Sequence, residues 1–239
     1  MGKFSDPLAV VFADLAAMTR GQSALDVGCG PGALTAELDR RLGSAAIAAV
    51  DPSASFVAAA RDRLPGVDVR QAAAEHLPFD DNIFDHVLAQ LVVHFMADPA
   101  AGLGEMRRVA RPGGTVAACV WDFAGERAPL SVFWQAAQDL DPAAPAESGR
   151  TGTRQGQLTE IFTRAGLSQV SESALRVSAG YASFEQWWDP YTLGVGPAGS
   201  YVRAQTPEQR ERLREHCREL LPAGPILREA FAWAATGRA

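Results

Sequence analysis

The run Ala24-Leu25-Asp26-Val27-Gly28-Cys29-Gly30-Pro31-Gly32-Ala33-Leu34-Thr35 decides how this chain folds. It reads as a buried strand that breaks into a glycine loop and then enters a helix. Glycine has no Cβ, so such a loop turns tightly and lets its backbone approach a ligand closely. The helix behind it aims unbonded N–H groups and a partial positive charge at whatever docks there. Asp26 stands two places before the first glycine, at the strand end. That layout suits a nucleoside ligand that also carries a cation.

Outward from this run, strands and helices alternate. A lead-in helix is expected over residues 6–19, with Leu8, Val11, Phe12, Leu15 and Met18 at helical spacing and Ser5 or Asp6 as cap. Strands follow at 23–27, 46–50, 67–73, 86–90 and 115–121, with helices at 32–42, 53–64 and 99–109 between them. The strands are continuous apolar runs, as expected of strands buried on both faces. The alternation predicts an α/β fold, a doubly wound and mostly parallel sheet with helices on both faces.

The pattern changes after Trp121. Residues 141–157 are rich in Pro, Ala, Ser, Gly and Thr and read as a loop. A helix at 157–165 and a strand at 169–177 come next. Then comes the aromatic segment Phe184–Tyr191, followed by glycines 194, 196 and 199, which read as a mobile closure. Thr206-Pro207-Glu208-Gln209 is a helix start, with Pro at the first helical position. Residues 225–234 form a last strand or a short helix. The whole reads as one domain, 1–239. Its ligand-binding core lies at about 20–122, and acceptor-side lid segments lie at about 123–157 and 181–222.

The 239 residues carry 22 Lys and Arg against 28 Asp and Glu, a net charge of −6. The broad basic surface of a nucleic-acid binder is therefore absent. Arg107, Arg108 and Arg111 form only a short basic cluster. No stretch reaches the roughly 20 apolar residues of a membrane span, and no signal peptide is evident. Cys29, Cys119 and Cys217 lack metal-ligand spacing and do not form a disulfide framework. Together these features point to a reducing cytoplasm and to no metal. The oligomeric state is left open.

In an open α/β sheet, ligands bind beyond the carboxyl ends of the strands. Four segments converge there. Asp26 and the glycines Gly28, Gly30 and Gly32 follow the first strand, and Asp51 and Pro52 end the second. Ala74 and Glu75 follow the third, and Gln90 ends the fourth. Asp51 lies about 20 residues beyond the loop, the spacing of a carboxylate that accepts from ribose hydroxyls; the plainer reading is a helix cap. Phe56, one turn later, stacks on a base or simply packs in the core. His94, four residues past Gln90, is the candidate general base, because histidine titrates near neutral pH. The alternative for His94 is a loop-orienting residue packed beside Phe95.

Four motifs, in order, resemble the class I S-adenosylmethionine-dependent methyltransferases, most closely the branch with the ubiquinone and menaquinone C-methyltransferases. They are Leu25–Gly32, Val50-Asp51-Pro52-Ser53, Glu75–Asp85 and Arg108–Gly114. The resemblance covers about residues 20–122. It implies a Rossmann-like, seven-stranded fold with S-adenosylmethionine as cofactor. It places Gly28, Cys29 and Gly30 against the methionine and ribose parts and Asp26 near the amino group. Asp51 would hold the ribose, Ala74 and Glu75 would lie beside adenine, and Gln90 would line the floor. Ala73 stands where the family often has an acidic partner for the adenine amino group.

A sulfonium methyl is already electrophilic, so transfer needs mainly in-line placement of a small, partly apolar acceptor. The C-terminal aromatic lid, with Trp187, Trp188 and Tyr191, is the candidate acceptor-binding segment. Adjacent residues point apart on a helix, so Trp187 and Trp188 are hardly both buried on one helical face: either one faces the acceptor pocket, or both pack the insertion onto the main domain. Two other readings stay open. Gly28-x-Gly30-x-x-Ala33 also satisfies the fingerprint of an NAD-dependent oxidoreductase, and a non-catalytic binding module would keep the same core.

Overall fold

The computed structural model describes residues 2–145 and 147–239. The first strands are short and wholly buried. β1 (Ala24–Val27) and β2 (Ile47–Asp51) expose no residue to solvent, which explains their unbroken apolar sequence. With β3 (Asp68–Gln71), β4 (Phe84–Gln90) and β5 (Ala110–Trp121) they form a parallel array. β6 (Ser168–Tyr181) and β7 (Ile226–Arg238) complete a seven-stranded sheet in the order β3-β2-β1-β4-β5-β7-β6. β7 runs antiparallel to both its neighbours. The sheet is therefore mostly parallel, as the alternation predicted.

α1 (Gly2–Leu15) leads in, α2 (Ala33–Leu42) joins β1 to β2, α3 (Ala54–Arg63) joins β2 to β3, and α4 (Pro99–Val109) joins β4 to β5. Polar side chains set the starts of α3 and α4. Ser53 caps α3, and Asp98 caps α4 by accepting from the N–H groups of Ala100 and Ala101. Between β5 and β6 lie α5 (Ser131–Leu140) and α6 (Gln157–Arg164). Three helices stand between β6 and β7: α7 (Phe184–Thr192), α8 (Gly196–Ala204) and α9 (Pro207–Glu219). Thr206 and Gln209 close a reciprocal capping box on α9, the start read from the sequence.

Two apolar layers sandwich the sheet. One gathers Leu25, Val27, Val50, Val87, Leu103, Met106 and Phe162 against α4 and α6. The other gathers Ala24, Ala49, Leu88, Cys119 and Trp121 against α1, α2, α5 and the α7–α9 insertion. Alternation along the strands thus assigns Asp26, Gln90 and Trp121 to the α1 side. Strand order reverses between β1 and β4, which opens a crevice at their carboxyl ends.

Several details depart from the sequence reading. α5 was not expected; its Phe133 and Trp134 are buried in the α1-side layer. Of the glycines in the expected closure, Gly196 and Gly199 lie in the first turn of α8 and Gly194 just before it. A Cβ on Gly199 would stand 2.8 Å from the Gly194 carbonyl carbon, so Gly199 serves close packing there. The last segment, by contrast, takes the first of its two expected forms, a strand, because its residues complete the ladders to β5 and β6.

Candidate functional site

The glycine loop is held from below by β2. The N–H groups of Gly28 and Cys29 both donate to the Val50 carbonyl, at 2.8 and 2.9 Å. These two N–H groups are thus used by the fold. Gly28 adopts φ +73°, and a Cβ there would meet Val92 Cγ2 at 2.4 Å. Only glycine lets the loop pass this close to the turn after β4. Gly32, at φ +88°, precedes α2, whose N-terminus has no side-chain cap.

Asp51 ends β2 and is 6% exposed. Its Oδ2 accepts from the Gly30 N–H at 2.9 Å and its Oδ1 from the Ser53 N–H at 2.8 Å. The carboxylate is thus fixed in place by the loop and by the start of α3. A carboxylate has about four lone-pair positions, so two bonds leave room for two hydroxyls. The capping reading and the ribose reading are therefore compatible. The Pro52 carbonyl accepts from Gln71 Nε2 at 3.0 Å, which ties β3 to the same corner.

Asp26 is 1% exposed. Thr35, from the first turn of α2, donates to its Oδ2 at 2.6 Å, while Oδ1 is buried without a partner. Burial, with a smaller contribution from the neighbouring Asp51 charge, pushes its pKa up to about 7. A buried acid with an open oxygen beside a second acid calls for a cation. Thr35 was missed in the sequence, although a hydroxyl nine residues past an acid, in the helix that faces it, is a legible signal.

The adenine side is less built. Ala74 is buried in the α4-side layer, so only its backbone faces a ligand, and the Ala73 carbonyl accepts from the His76 N–H. Glu75 Oε1 accepts from the Ala97 and Asp98 N–H groups at 2.8 and 3.2 Å. This brings the start of α4 under the crevice. Phe56 is 39% exposed at the edge of the corner, free of the core packing that was its alternative. Gln90 donates from Nε2 to the Ser5 carbonyl at 3.1 Å, and its Oε1 is buried without a partner. After Gln90, Leu91 takes φ +63° and its N–H donates to the Cys119 carbonyl, so the strained turn is fixed by β5.

His94 lies in a short 3₁₀ turn, 6% exposed, with neither ring nitrogen bonded. Its ring packs on Phe95 at 4.0 Å and near Phe123 at 6.0 Å. Burial, and then the Arg150 cation, lower its pKa to about 3. It is a neutral imidazole at neutral pH.

In the aromatic segment both tryptophans pack inward, the second of the two readings open from the sequence. Trp187, Trp188 and Tyr191 are 2%, 4% and 8% exposed. Tyr191 stacks on Phe133 at 4.6 Å, and Trp188 stacks on Phe184 at 6.3 Å. Both tryptophans are buried because α7 is covered on more than one side, by α5, α8 and β6. A cavity of about 330 Å³ opens between Phe123, Trp134, Gln135 and the buried Glu147. It lies on the β5–α5 side and not over the glycine loop. Among the described residues, no group of three metal-ligating side chains occurs, and no helix is long and apolar enough to cross a membrane.

A family profile described as a methyltransferase domain matches residues 25–118. The UbiE ubiquinone/menaquinone biosynthesis C-methyltransferase of Cupriavidus metallidurans is 33% identical over 169 residues, 63% of this chain and 69% of that protein. A Bacillus halodurans C-125 protein of known structure superposes with a TM-score of 0.63 at 17% identity, over 96% of this chain and 97% of the other. A Haemonchus contortus phosphoethanolamine N-methyltransferase 2, solved with S-adenosyl-L-methionine, superposes with a TM-score of 0.61 at 15% identity, over 97% of this chain and 52% of the other. Against other curated relatives the chain spans less, 28%, 37% and 44% of their lengths. The matched stretch begins at Leu25 and holds the glycine loop, Asp51 and the turn after β4, and the chain belongs to the class I S-adenosylmethionine-dependent methyltransferases.

Proposed function

We propose that this chain transfers the methyl group of S-adenosylmethionine to a small, partly apolar acceptor by in-line displacement. When bound, the cofactor supplies an electrophilic sulfonium methyl: the acceptor's lone pair forms the new bond, and the old C–S pair stays on sulfur. Asp26 carries the reading. Its open, buried oxygen sits beside the glycine loop, where an ammonium group would satisfy it. Asp51, fixed by Gly30 and Ser53, would hold the ribose hydroxyls. Phe56 and the backbone at Ala74 would flank the base, while Gly28, Cys29 and Gly30 would line the methionine part.

Asp26 also weighs against the dinucleotide reading. Asp51 suits the ribose of either cofactor, whereas the buried Asp26 before the loop, the extra Gly32 and the Glu75–Asp85 stretch favour S-adenosylmethionine. The lid segments 123–157 and 181–222 would shape the acceptor side, with Trp187, Trp188 and Tyr191 supporting that wall from behind. His94 is a poor general base here, because burial and the Arg150 cation disfavour the imidazolium that would form; its packing on Phe95 favours the loop-orienting role. Transfer of labelled methyl from S-adenosylmethionine to extracted small metabolites tests the proposal. Labelled small-molecule product is expected. Tight cofactor binding with no transfer to any extract would leave the binding-module reading standing instead.

A further inference from the structure

Gln90 and Trp121 stand on the same face of neighbouring strands. Gln90 pairs with Cys119 across the β4–β5 ladder, and Trp121 lies two residues further along β5. The first turn of α1 roofs both. Gln90 Nε2 donates to the Ser5 carbonyl, and Phe4 meets Trp121 edge-on with ring centroids 6.2 Å apart. The Ser5 contact fixes the amide orientation, because only the amino end of Gln90 can face a carbonyl.

Two buried atoms of opposite sense are then left over. Gln90 Oε1 needs a donor, and Trp121 Nε1, in an indole with 0% exposure, needs an acceptor. Buried polar groups without partners are uncommon and costly, and each calls for an explanation. Asp26 Oδ1 is a third such atom on this face, one strand away, and is already assigned to the cofactor. The pair therefore lies just past the cofactor site, at the carboxyl ends of β4 and β5.

We propose that Gln90 Oε1 and Trp121 Nε1 recognise the methyl acceptor, and that they select an uncharged molecule bearing a hydroxyl on an apolar body. This rests on the methyl-transfer reading. A hydroxyl both donates and accepts, so it matches the opposite needs of the two atoms. The surrounding layer is Phe4, Leu88, Cys119 and Ala232, all buried. A charged headgroup would lose its water there without gaining an equivalent environment. Reaching the pair requires the roof to lift. Pro7 leaves α1 one backbone bond short there, because its ring nitrogen cannot donate to the Lys3 carbonyl one turn back.

The test uses the full chain saturated with S-adenosylhomocysteine, whose affinity is first measured by calorimetry. Alkyl and aryl alcohols are titrated in, each alongside its methyl ether, carboxylate and ammonium counterpart. The Trp121 indole N–H resonance, assigned with Trp121→Phe, reports contact directly. The alcohols are expected to shift it and to bind about tenfold more weakly to Trp121→Phe and to Gln90→Leu. S-adenosylhomocysteine affinity should stay within about twofold in Trp121→Phe. The proposal is overturned if the ethers bind as well as the alcohols, if a charged series binds best, or if no series moves the resonance. Absence of S-adenosylhomocysteine binding in the parent chain would instead sink the methyl-transfer reading, and this proposal with it.

Discussion

The Gly30 N–H donates to Asp51 Oδ2 at 2.9 Å, so the glycine loop and the end of β2 are one unit. A ribose arriving at this corner meets a carboxylate already oriented, with little ordering left to do. Replacing Asp51 by Ala strands the Gly30 and Ser53 N–H groups and removes both hydroxyl partners. Cofactor affinity should fall by about 1–3 kcal/mol, roughly 5- to 150-fold. Calorimetry on Asp51→Ala, with Asp51→Asn beside it, checks this. An unchanged dissociation constant would remove Asp51 from the ribose role.

Asp26 makes stability depend on pH. Its folded pKa, about 7, lies above its unfolded value of 3.8, so between these values the folded state binds the extra proton. The resulting stabilisation is complete below about pH 3.8, falls as pH rises, and is gone above about pH 7. Urea unfolding should therefore show lower stability at pH 8 than at pH 5.5 from this group. Asp26→Asn should flatten that difference while keeping the Thr35 bond.

The same group predicts proton release on binding. A cofactor ammonium beside Asp26 favours its ionised form. S-adenosylmethionine should bind more tightly at pH 8 than at pH 6, with proton release visible as a buffer-dependent heat. Equal affinity at the two pH values would separate Asp26 from the cation.

Gly28→Ala tests the loop's approach to the β4 turn. The new Cβ would overlap Val92 and force an unfavourable φ of +73°. Stability should drop by about 1–3 kcal/mol, and cofactor affinity should drop with it. Gly28→Ala combined with Val92→Ala should recover part of the stability, because the steric overlap is then relieved.

His94 is held neutral, with a pKa of about 3. At saturating cofactor, kcat should show no inflection near pH 6.5 from this group. An inflection there that vanishes in His94→Gln would contradict the burial-driven pKa.

The legible part of the fold is the part written in short-range chemistry. The buried runs of β1 and β2, the helix starts at Ser53 and Thr206, and the Asp26–Gly32 and Asp51 pair all announce themselves locally. What stayed hidden depends on tertiary neighbours. Val92 above Gly28 is visible only once β4 lies beside β1. The burial of both Trp187 and Trp188 needs the unexpected helix α5, whose Phe133 covers Tyr191. Glu75 reads in the sequence as an adenine partner, yet one of its oxygens is engaged with the start of α4. Gln90 reads as a lining residue, and its opposed pair with Trp121 appears only when α1 is folded over both.

The most direct measurement is calorimetric titration of the full chain with S-adenosylmethionine and, separately, with NAD. The account predicts one-to-one binding of S-adenosylmethionine that weakens about 5- to 150-fold in Asp51→Ala, and no saturable binding of NAD. Saturable NAD binding without S-adenosylmethionine binding would contradict it.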